Sequence, residues 1–137
     1  MRAVLTELLA GVEVLAFDNA PDAIDFLRVY ADRTVLISLD HDLGPSRVRD
    51  GAAFEPGDGR DVCVFLGGGE CRPACPAIVH SANYQMVMVM VEMLRERGWA
   101  ATIVSPYSQL ALGWIDKEWR AEVEWLIANG KIQRGGE

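Results

Sequence analysis

A short apolar run that ends abruptly in charged residues constrains the fold of this chain more than any other feature. Residues 35–39 are almost entirely aliphatic, as is typical of a buried β-strand. Asp40, His41 and Asp42 follow at once, although aspartate is depleted in strands and buried charges are costly. Open α/β sheets bind ligands beyond the carboxyl ends of their strands, so we expect a functional site at this point of the chain. The alternative is an ordinary turn, in which Asp and Gly are common.

The spacing of the two aspartates adds a geometric constraint. Asp40 and Asp42 are two positions apart, so their side chains point to the same side of an extended backbone, and His41 points to the other. Two carboxylates on one side can bind a hard divalent cation or share a proton. The spacing is therefore compatible with both metal binding and acid–base chemistry.

Length and charge limit the class of protein. The chain has 137 residues, half of them hydrophobic, and a net charge of −7. This length predicts one domain, which we place at residues 1–130, followed by a short tail at residues 131–137. The negative charge argues against duplex DNA as a partner but not against a small phosphate ligand. No apolar run approaches the roughly 18 residues of a membrane span, and no signal peptide is evident, so we expect a soluble, cytoplasmic protein with no membrane partner.

The three cysteines are Cys63, Cys71 and Cys75. An odd number without a signal peptide does not indicate a disulfide scaffold. Cys71, Cys75 and His80 are conceivable zinc ligands, but their spacing matches no common structural zinc pattern. Reduced thiols in or beside a loop are the simpler interpretation.

Strand and helix patterns alternate along the rest of the chain. Further strands are predicted at residues 12–17, 76–81 and 99–104, and residues 1–11 fit either a helix or a first strand. Helices are predicted after Asn19, at residues 61–66, after Asn83 to residue 97, and at residues 110–128. Residues 44–59 are predicted to form a long loop. Strands that alternate with helices predict a parallel sheet with helices on both faces.

The strand ends of such a sheet lie along one edge. The polar residues at these ends are Asp40, His41, Asp42, His80, Ser81 and Ser105. The chain has only two histidines, and both lie at the end of an apolar strand. Because histidine exchanges protons near neutral pH, we interpret this placement as a functional site.

Two further features suit an anionic ligand. Ser81 and Asn83 precede a helix whose first backbone N–H groups would face an anion. Arg47, with Arg49 and Arg60, forms a local positive group in an acidic protein. The alternative for these arginines is a solvated loop without a ligand.

Two motifs together resemble a known family. They are Ser-Leu-Asp-His-Asp-Leu-Gly at residues 38–44 and His-Ser-Ala-Asn at residues 80–83, and they resemble the cyclic-phosphate-processing receiver domains, a divergent branch of the response-regulator receiver fold. The resemblance covers roughly residues 1–105. It implies a receiver-like (flavodoxin-like) three-layer sandwich with five parallel strands, and action on cyclic phosphates in RNA repair or nucleotide signalling. By this resemblance Asp40 occupies the phosphoacceptor position of receivers, and Ser81 the position of their Ser or Thr.

The chain also departs from the pattern of that family. The family's first strand normally ends in two acidic residues that help to bind a metal, and an alignment places Thr6 and Glu7 at those positions. The lysine that ends the fifth strand of ordinary receivers is replaced near Ser105 and Pro106. Loss of that lysine argues against conventional phospho-signalling through Asp40.

These observations predict a metal-dependent phosphoesterase that opens a cyclic phosphate on an RNA end or a cyclic nucleotide. Asp40, Asp42 and Glu7 would hold Mg²⁺ or Mn²⁺. His41 and His80 would be the general acid and base, with the two roles unassigned, and Asp42 would assist them. The residues predicted to bind the substrate are Ser81, Asn83, Arg47 and Ser105.

Three alternatives concern function and assembly. The same strand ends could sequester a cyclic nucleotide without cleaving it, for instance in phage counter-defence. A phosphoaccepting receiver that uses Asp40 is the weakest alternative, because the lysine is missing. Trp114, Trp119 and Trp125 fall on more than one face of the last helix, which leaves a homodimer open, although core packing is the simpler interpretation for Trp119.

Overall fold

The computed structural model describes residues 1–106 and 113–132. The helices are α1 (Arg2–Leu8), α2 (Ala20–Tyr30), α3 (Gly59–Leu66), α4 (Tyr84–Glu96) and α5 (Arg120–Ala128). The strands are β1 (Ile37–Leu39), β2 (Arg47–Arg49), β3 (Ala52–Phe54), β4 (Ala77–Val79) and β5 (Ala101–Ile103). A 3-10 turn (Ala31–Arg33) follows α2, and a π-helical segment (Ile115–Trp119) leads into α5.

A parallel sheet lies at the centre of the fold. Its strand order is β1-β4-β5, so β4 is the middle strand. In register, Ile78 of β4 lies between Ser38 of β1 and Thr102 of β5. Strands β2 and β3 pair with each other as an antiparallel hairpin outside this sheet.

The two faces of the sheet carry separate apolar clusters, because successive strand residues point to opposite faces. Ile37, Leu39 and Val79 pack with helices α2, α3 and α4 on one face. Ile78 packs with α1, the π-helical segment and α5 on the other. The predicted α/β architecture, with a parallel sheet between two layers of helices, is therefore confirmed.

The prediction of five parallel strands is wrong, because the main sheet has three strands in the described part of the chain. Residues 2–6, one alternative for a first strand, lie in α1, where Val4 is buried in the second apolar cluster. Residues 12–17 alternate in polarity but join no ladder, and Leu15 and Phe17 are 47% and 39% exposed. The Val14 carbonyl instead accepts a hydrogen bond from Arg2 Nη1 at 2.9 Å. An alternating pattern is not sufficient for β-structure, because a strand must also pair with a neighbouring strand. In the described part of the chain, residues 12–17 pair with none.

The sequence signals at the helix ends predict the structure more accurately than the strand patterns do. Asn19 Oδ1 accepts from the Asp22 amide at 2.8 Å, and Asn83 Oδ1 accepts from the Met86 amide at 3.2 Å, so both predicted N-caps are confirmed. The predicted loop at residues 44–59 contains the β2–β3 hairpin. Helix α3 begins two residues earlier than predicted, because Asp58 caps it.

The structure describes only part of the predicted last helix, residues 110–128, and its α-helical part is α5 (Arg120–Ala128). Residues 107–112 and 133–137 lie outside the described residues, as do the predicted helix start at residue 110 and most of the predicted tail. Trp119 is fully buried, as expected for core packing, whereas Trp125 is 52% exposed on α5. A homodimer through that face stays a prediction. Among the described residues, no helix combines the length and apolar character needed to cross a membrane.

Candidate functional site

The ends of β1 and β4 meet at the carboxyl edge of the sheet. The His80 amide donates to the Leu39 carbonyl at 2.8 Å, which brings the residues after the two strands together. Alternation places Ser38 and Asp40 on the same face of β1, the face covered by α1 and α5. The structure therefore gathers Asp40, His41, His80 and Ser81 at one edge, as the motifs predict.

His80 lies almost wholly inside the protein, with 6% of its surface exposed. Its Nε2 is 2.9 Å from Ser38 Oγ, and the Trp114 ring lies over the imidazole with 5.2 Å between centroids. Burial lowers the pKa of His80 below its usual range, although the charge of Asp40 opposes this effect. The imidazole is therefore neutral at neutral pH.

His41 has a different environment. Its Nδ1 is 3.1 Å from Asp42 Oδ1, and its Nε2 is 3.5 Å from Asp58 Oδ2 at the start of α3. The side chain is 14% exposed, whereas those of Asp42 and Asp58 are 72% and 39% exposed. The ring thus lies between two carboxylates on the α3 side of the sheet, while His80 faces the opposite layer.

The start of α3 fixes the backbone of the first motif. Asp58 caps α3 in a reciprocal pair with Asp61, and the Gly59 amide donates to the His41 carbonyl at 2.8 Å. A Cβ atom at Gly59 would overlap the Asp40 carbonyl oxygen, so only glycine allows this approach. Sequence reasoning assigned Asp58 and Gly59 to a loop and missed them. The available signal was the pair of acidic residues three positions apart before an apolar run.

The predicted metal ligands are only partly brought together. Glu7 lies on helix α1, not at a strand end, and its carboxylate accepts two hydrogen bonds from Arg120, at 2.7 and 3.0 Å. These bonds and the charge of Arg120 lower the pKa of Glu7. Across residues 1–106 and 113–132, no three His, Cys, Asp or Glu side chains are grouped to hold a metal ion. The predicted set of three carboxylates is therefore not assembled.

A hydrogen bond links the Asp40 side chain to the backbone of Asp42. Asp40 Oδ1 accepts from the Asp42 amide at 3.2 Å, which holds the two residues in one turn. Mg²⁺ is commonly held by one or two carboxylates, with water and phosphate oxygens as its other ligands. With Glu7 held by Arg120, Asp40 and Asp42 are the two predicted ligands left that could hold a hydrated cation.

Of the predicted anion ligands, three follow strands of the main sheet and one lies on the β2–β3 hairpin. Ser81 is buried, its Oγ accepts from the Asn83 amide at 3.1 Å, and both residues precede α4 at the carboxyl edge. Ser105 follows β5 and is exposed. The start of α4 therefore lies beside the residues that follow β4, as predicted.

Arg47 belongs to the β2–β3 hairpin and is already paired. Its Nη2 contacts Asp18 Oδ1 at 2.8 Å, and Arg49 Nη1 contacts Asp22 Oδ2 at 3.0 Å. Both guanidinium groups lie over the Phe54 ring, 5.2 and 4.8 Å from its centroid. Acidic residues at the start of α2 thus offset the positive charge that the sequence offered to a ligand.

The cysteines show no sign of a metal site among the described residues. All three are free thiols, and burial raises the pKa of Cys63 and of Cys75 to about 12. Thiols of this kind are protonated and poor metal ligands. The interpretation as reduced thiols therefore accounts for them.

Comparison with known proteins adds the family. A family model described as "Cyclic-phosphate processing Receiver domain" matches residues 8–96. The matched region contains β1, β4 and both motifs, but it begins after Thr6 and Glu7 and so does not align them with the family's acidic pair. No significant match was found among curated proteins or among solved structures. The description of the family implies a role in cyclic-phosphate processing. Because the match spans more than half of the chain, this protein belongs to the cyclic-phosphate processing receiver domain family.

Proposed function

We propose that this protein is a phosphoesterase that hydrolyses a cyclic phosphate, either at an RNA 2′,3′-cyclic end or in a cyclic nucleotide. The observation that carries the proposal is the edge shared by β1 and β4. That edge presents Asp40, His41, His80 and Ser81 together, in a family whose description names cyclic phosphates. Ring opening needs a water molecule, a group that takes its proton and contacts that hold the phosphate.

His41 is the group best placed to move a proton. In the proposed mechanism His41 Nδ1–H donates to Asp42 Oδ1, 3.1 Å away, because a carboxylate can only accept, and Nε2 takes the proton from water. Asp58 Oδ2, 3.5 Å from Nε2, would stabilise the charge that then forms on the ring. Water adds to phosphorus, one ring P–O bond breaks, and the leaving oxygen receives the proton that water lost.

The phosphate would be held by uncharged donors at the end of β4. His80, the Ser81 hydroxyl and the first backbone N–H groups of α4 lie at this end. A helix N-terminus favours an anion, because its free N–H groups point outward and the helix dipole is positive there.

Dependence on Mg²⁺ or Mn²⁺ is part of the proposal. Asp40 and Asp42 are the residues that would bind the cation, because Glu7 is engaged with Arg120. A cation held by these residues would supply Lewis-acid polarisation of a phosphate oxygen.

The test is a cleavage assay with separation of the products by mass. RNA with 2′,3′-cyclic phosphate ends and a panel of cyclic di- and trinucleotides are incubated with Mg²⁺, Mn²⁺ or EDTA. We expect one substrate class to gain the mass of water, at a rate that EDTA lowers. The His41→Ala variant should be inactive, and the matched control Asp25→Asn, at an exposed position on α2, should match the wild type. Substrates recovered unchanged under every condition would sink the proposal of catalysis.

A second candidate function is sequestration of a cyclic nucleotide without cleavage. The incomplete acidic set favours it, because the third predicted carboxylate is held by Arg120. Sequestration predicts a rise in melting temperature with one member of the same panel and recovery of that ligand intact. Turnover of the ligand that gives the shift would exclude it.

A further inference from the structure

Ser38 is a polar residue in the middle of a buried strand, and its hydroxyl has specific partners. Its Oγ is 2.9 Å from His80 Nε2 and 3.2 Å from Trp119 Nε1. Thr102 occupies the matching position on β5, across Ile78, yet its buried Oγ1 has no partner in the described part of the chain. A buried hydroxyl at this position in the sheet can therefore lack a hydrogen-bond partner. The two partners of the Ser38 hydroxyl need an explanation specific to Ser38.

The π-helical segment supplies part of the explanation. The Trp119 amide donates to the Trp114 carbonyl five residues earlier, at 3.0 Å. The segment thus directs two indoles to the same place, with Trp114 over the His80 ring and Trp119 bonded to Ser38. Short π-helical segments are rare and frequently occur at functional sites.

The hydrogen-bond capacities of these groups determine where the protons lie. An indole N–H can only donate, so Trp119 occupies one acceptor position of Ser38 Oγ. The one hydrogen of Ser38 then has two possible acceptors, His80 Nε2 at 2.9 Å and Met1 Sδ at 3.7 Å. A thioether is a weak acceptor, so the hydrogen goes to His80. A neutral imidazole that accepts at Nε2 carries its own proton at Nδ1.

We infer that Ser38 is a positioning residue: held by Trp119, it fixes His80 as the tautomer protonated at Nδ1, so that Nδ1–H is the donor that His80 offers to a phosphate oxygen. The lowered pKa of His80 agrees with a neutral ring. The identity of the acceptor rests on the proposed function, whereas the tautomer is a property of the free protein. His80 then binds the phosphate without losing its proton, and proton transfer falls to His41.

The tautomer can be read directly by NMR on the free protein with ¹⁵N-labelled histidine. Long-range ¹H–¹⁵N correlations distinguish a protonated ring nitrogen from an unprotonated one, and the His41→Ala variant assigns the two rings. We expect His80 to show a protonated Nδ1 and an unprotonated Nε2. A wild-type protein with the proton on Nε2 overturns the inference, whatever the variants do.

Substitutions test the role of Ser38 itself. Ser38→Ala should mix or reverse the tautomer, Ser38→Thr should restore it, and the matched control Thr102→Val should leave it unchanged. Trp119→Phe removes the indole donor and should weaken the preference of His80 for the tautomer protonated at Nδ1. This variant keeps the test possible if Ser38→Ala does not fold. A tautomer that Ser38→Ala and Trp119→Phe both leave unchanged overturns the inference.

Activity separates this inference from the proposed function. Ser38→Ala should lower kcat/KM for ring opening by about tenfold, the effect of one hydrogen bond, and Ser38→Thr should recover it. The expected tautomer in a protein that turns over no cyclic phosphate would support the inference and reject the enzyme. Turnover by a protein in which His80 has the opposite tautomer would support the enzyme and reject the inference.

Discussion

His41 and His80 follow neighbouring strands at one edge of the sheet, but opposite layers of helices cover them. The end of β1 turns toward α3, where His41 lies between the carboxylates of Asp42 and Asp58. The end of β4 turns toward α5, where His80 is buried against Ser38 and the Trp114 ring. One histidine therefore contacts carboxylates and is partly exposed, whereas the other is buried against a hydroxyl and an indole ring.

This difference shows that equal sequence positions need not give equal chemistry. His41 is partly exposed and contacts the Asp42 carboxylate, which can orient it, so this ring suits proton transfer. Burial of His80 disfavours its charged form, so this ring suits a fixed hydrogen bond. The helix layer that covers each strand end, rather than the histidine itself, sets the role that we assign.

The strongest test of the comparison replaces each histidine by glutamine. Loss of proton transfer should lower kcat by about 10²–10⁴-fold in His41→Gln. In His80→Gln only the proposed hydrogen bond to phosphate is altered, so a loss of about tenfold is expected. Initial rates of ring opening measure both effects, and equal losses would contradict the division of roles.

Gly59→Ala should disrupt the β1 side alone. The added methyl group would overlap the Asp40 carbonyl and push α3 away from the motif, at a cost of about 3 kcal/mol in the free energy of unfolding. Denaturant unfolding measures the loss. The control Gly68→Ala meets nothing closer than 3.2 Å and should cost less than about 1 kcal/mol. Equal costs in the two variants would show that α3 is not locked to residues 40–42.

The pH dependence of the free energy of unfolding should report the burial of His80 at the end of β4. Because the pKa of His80 is lowered in the folded protein, the unfolded chain binds more protons as the pH falls through the usual histidine range near 6.5. The free energy of unfolding should therefore decrease between about pH 7 and pH 5.5. The acidic groups with lowered pKa values, Glu7, Asp18 and Asp22, add their own loss only at lower pH. Denaturant unfolding of His80→Gln should show a smaller decrease, and an unchanged slope would argue against a buried neutral ring.

Glu7→Gln should have the smallest effect and tests whether α1 contributes to the site. If the role of Glu7 is its ion pair with Arg120, the concentration of Mg²⁺ that gives half-maximal activity should stay within about twofold of the wild type. Arg120→Gln is the matched variant, since it breaks the same pair from the other side. An increased Mg²⁺ requirement in Glu7→Gln alone would restore Glu7 as a metal ligand.

Local patterns predicted the strand ends, the N-caps and the two layers of helices. Asn19 and Asn83 act within one helical turn, so the sequence next to them holds the needed information. Residues 12–17 show the limit, because their alternation is typical of a strand but a strand also needs a partner from a distant part of the chain.

Apart from the Asp58 cap, which a local pattern encodes, the features of the site that sequence reasoning missed are long-range contacts. The role of Gly59 depends on the Asp40 carbonyl that lies against it, and the burial of His80 depends on tryptophans more than thirty residues later. Neither neighbour is specified by a local pattern. Composition could identify two histidines at strand ends, but not which one would be enclosed.

Because of the π-helical segment, the burial of His80 beneath Trp114 is sensitive to the number of residues between Trp114 and Trp119. Each residue of a regular helix turns the chain by about 100°, so deleting one residue between Trp114 and Trp119 would rotate one indole by about that angle relative to the other. Trp119 is anchored in the core, and the displaced ring would therefore be Trp114. A single-residue deletion could thus open this end of the sheet to solvent without changing any residue that we propose to contact phosphate.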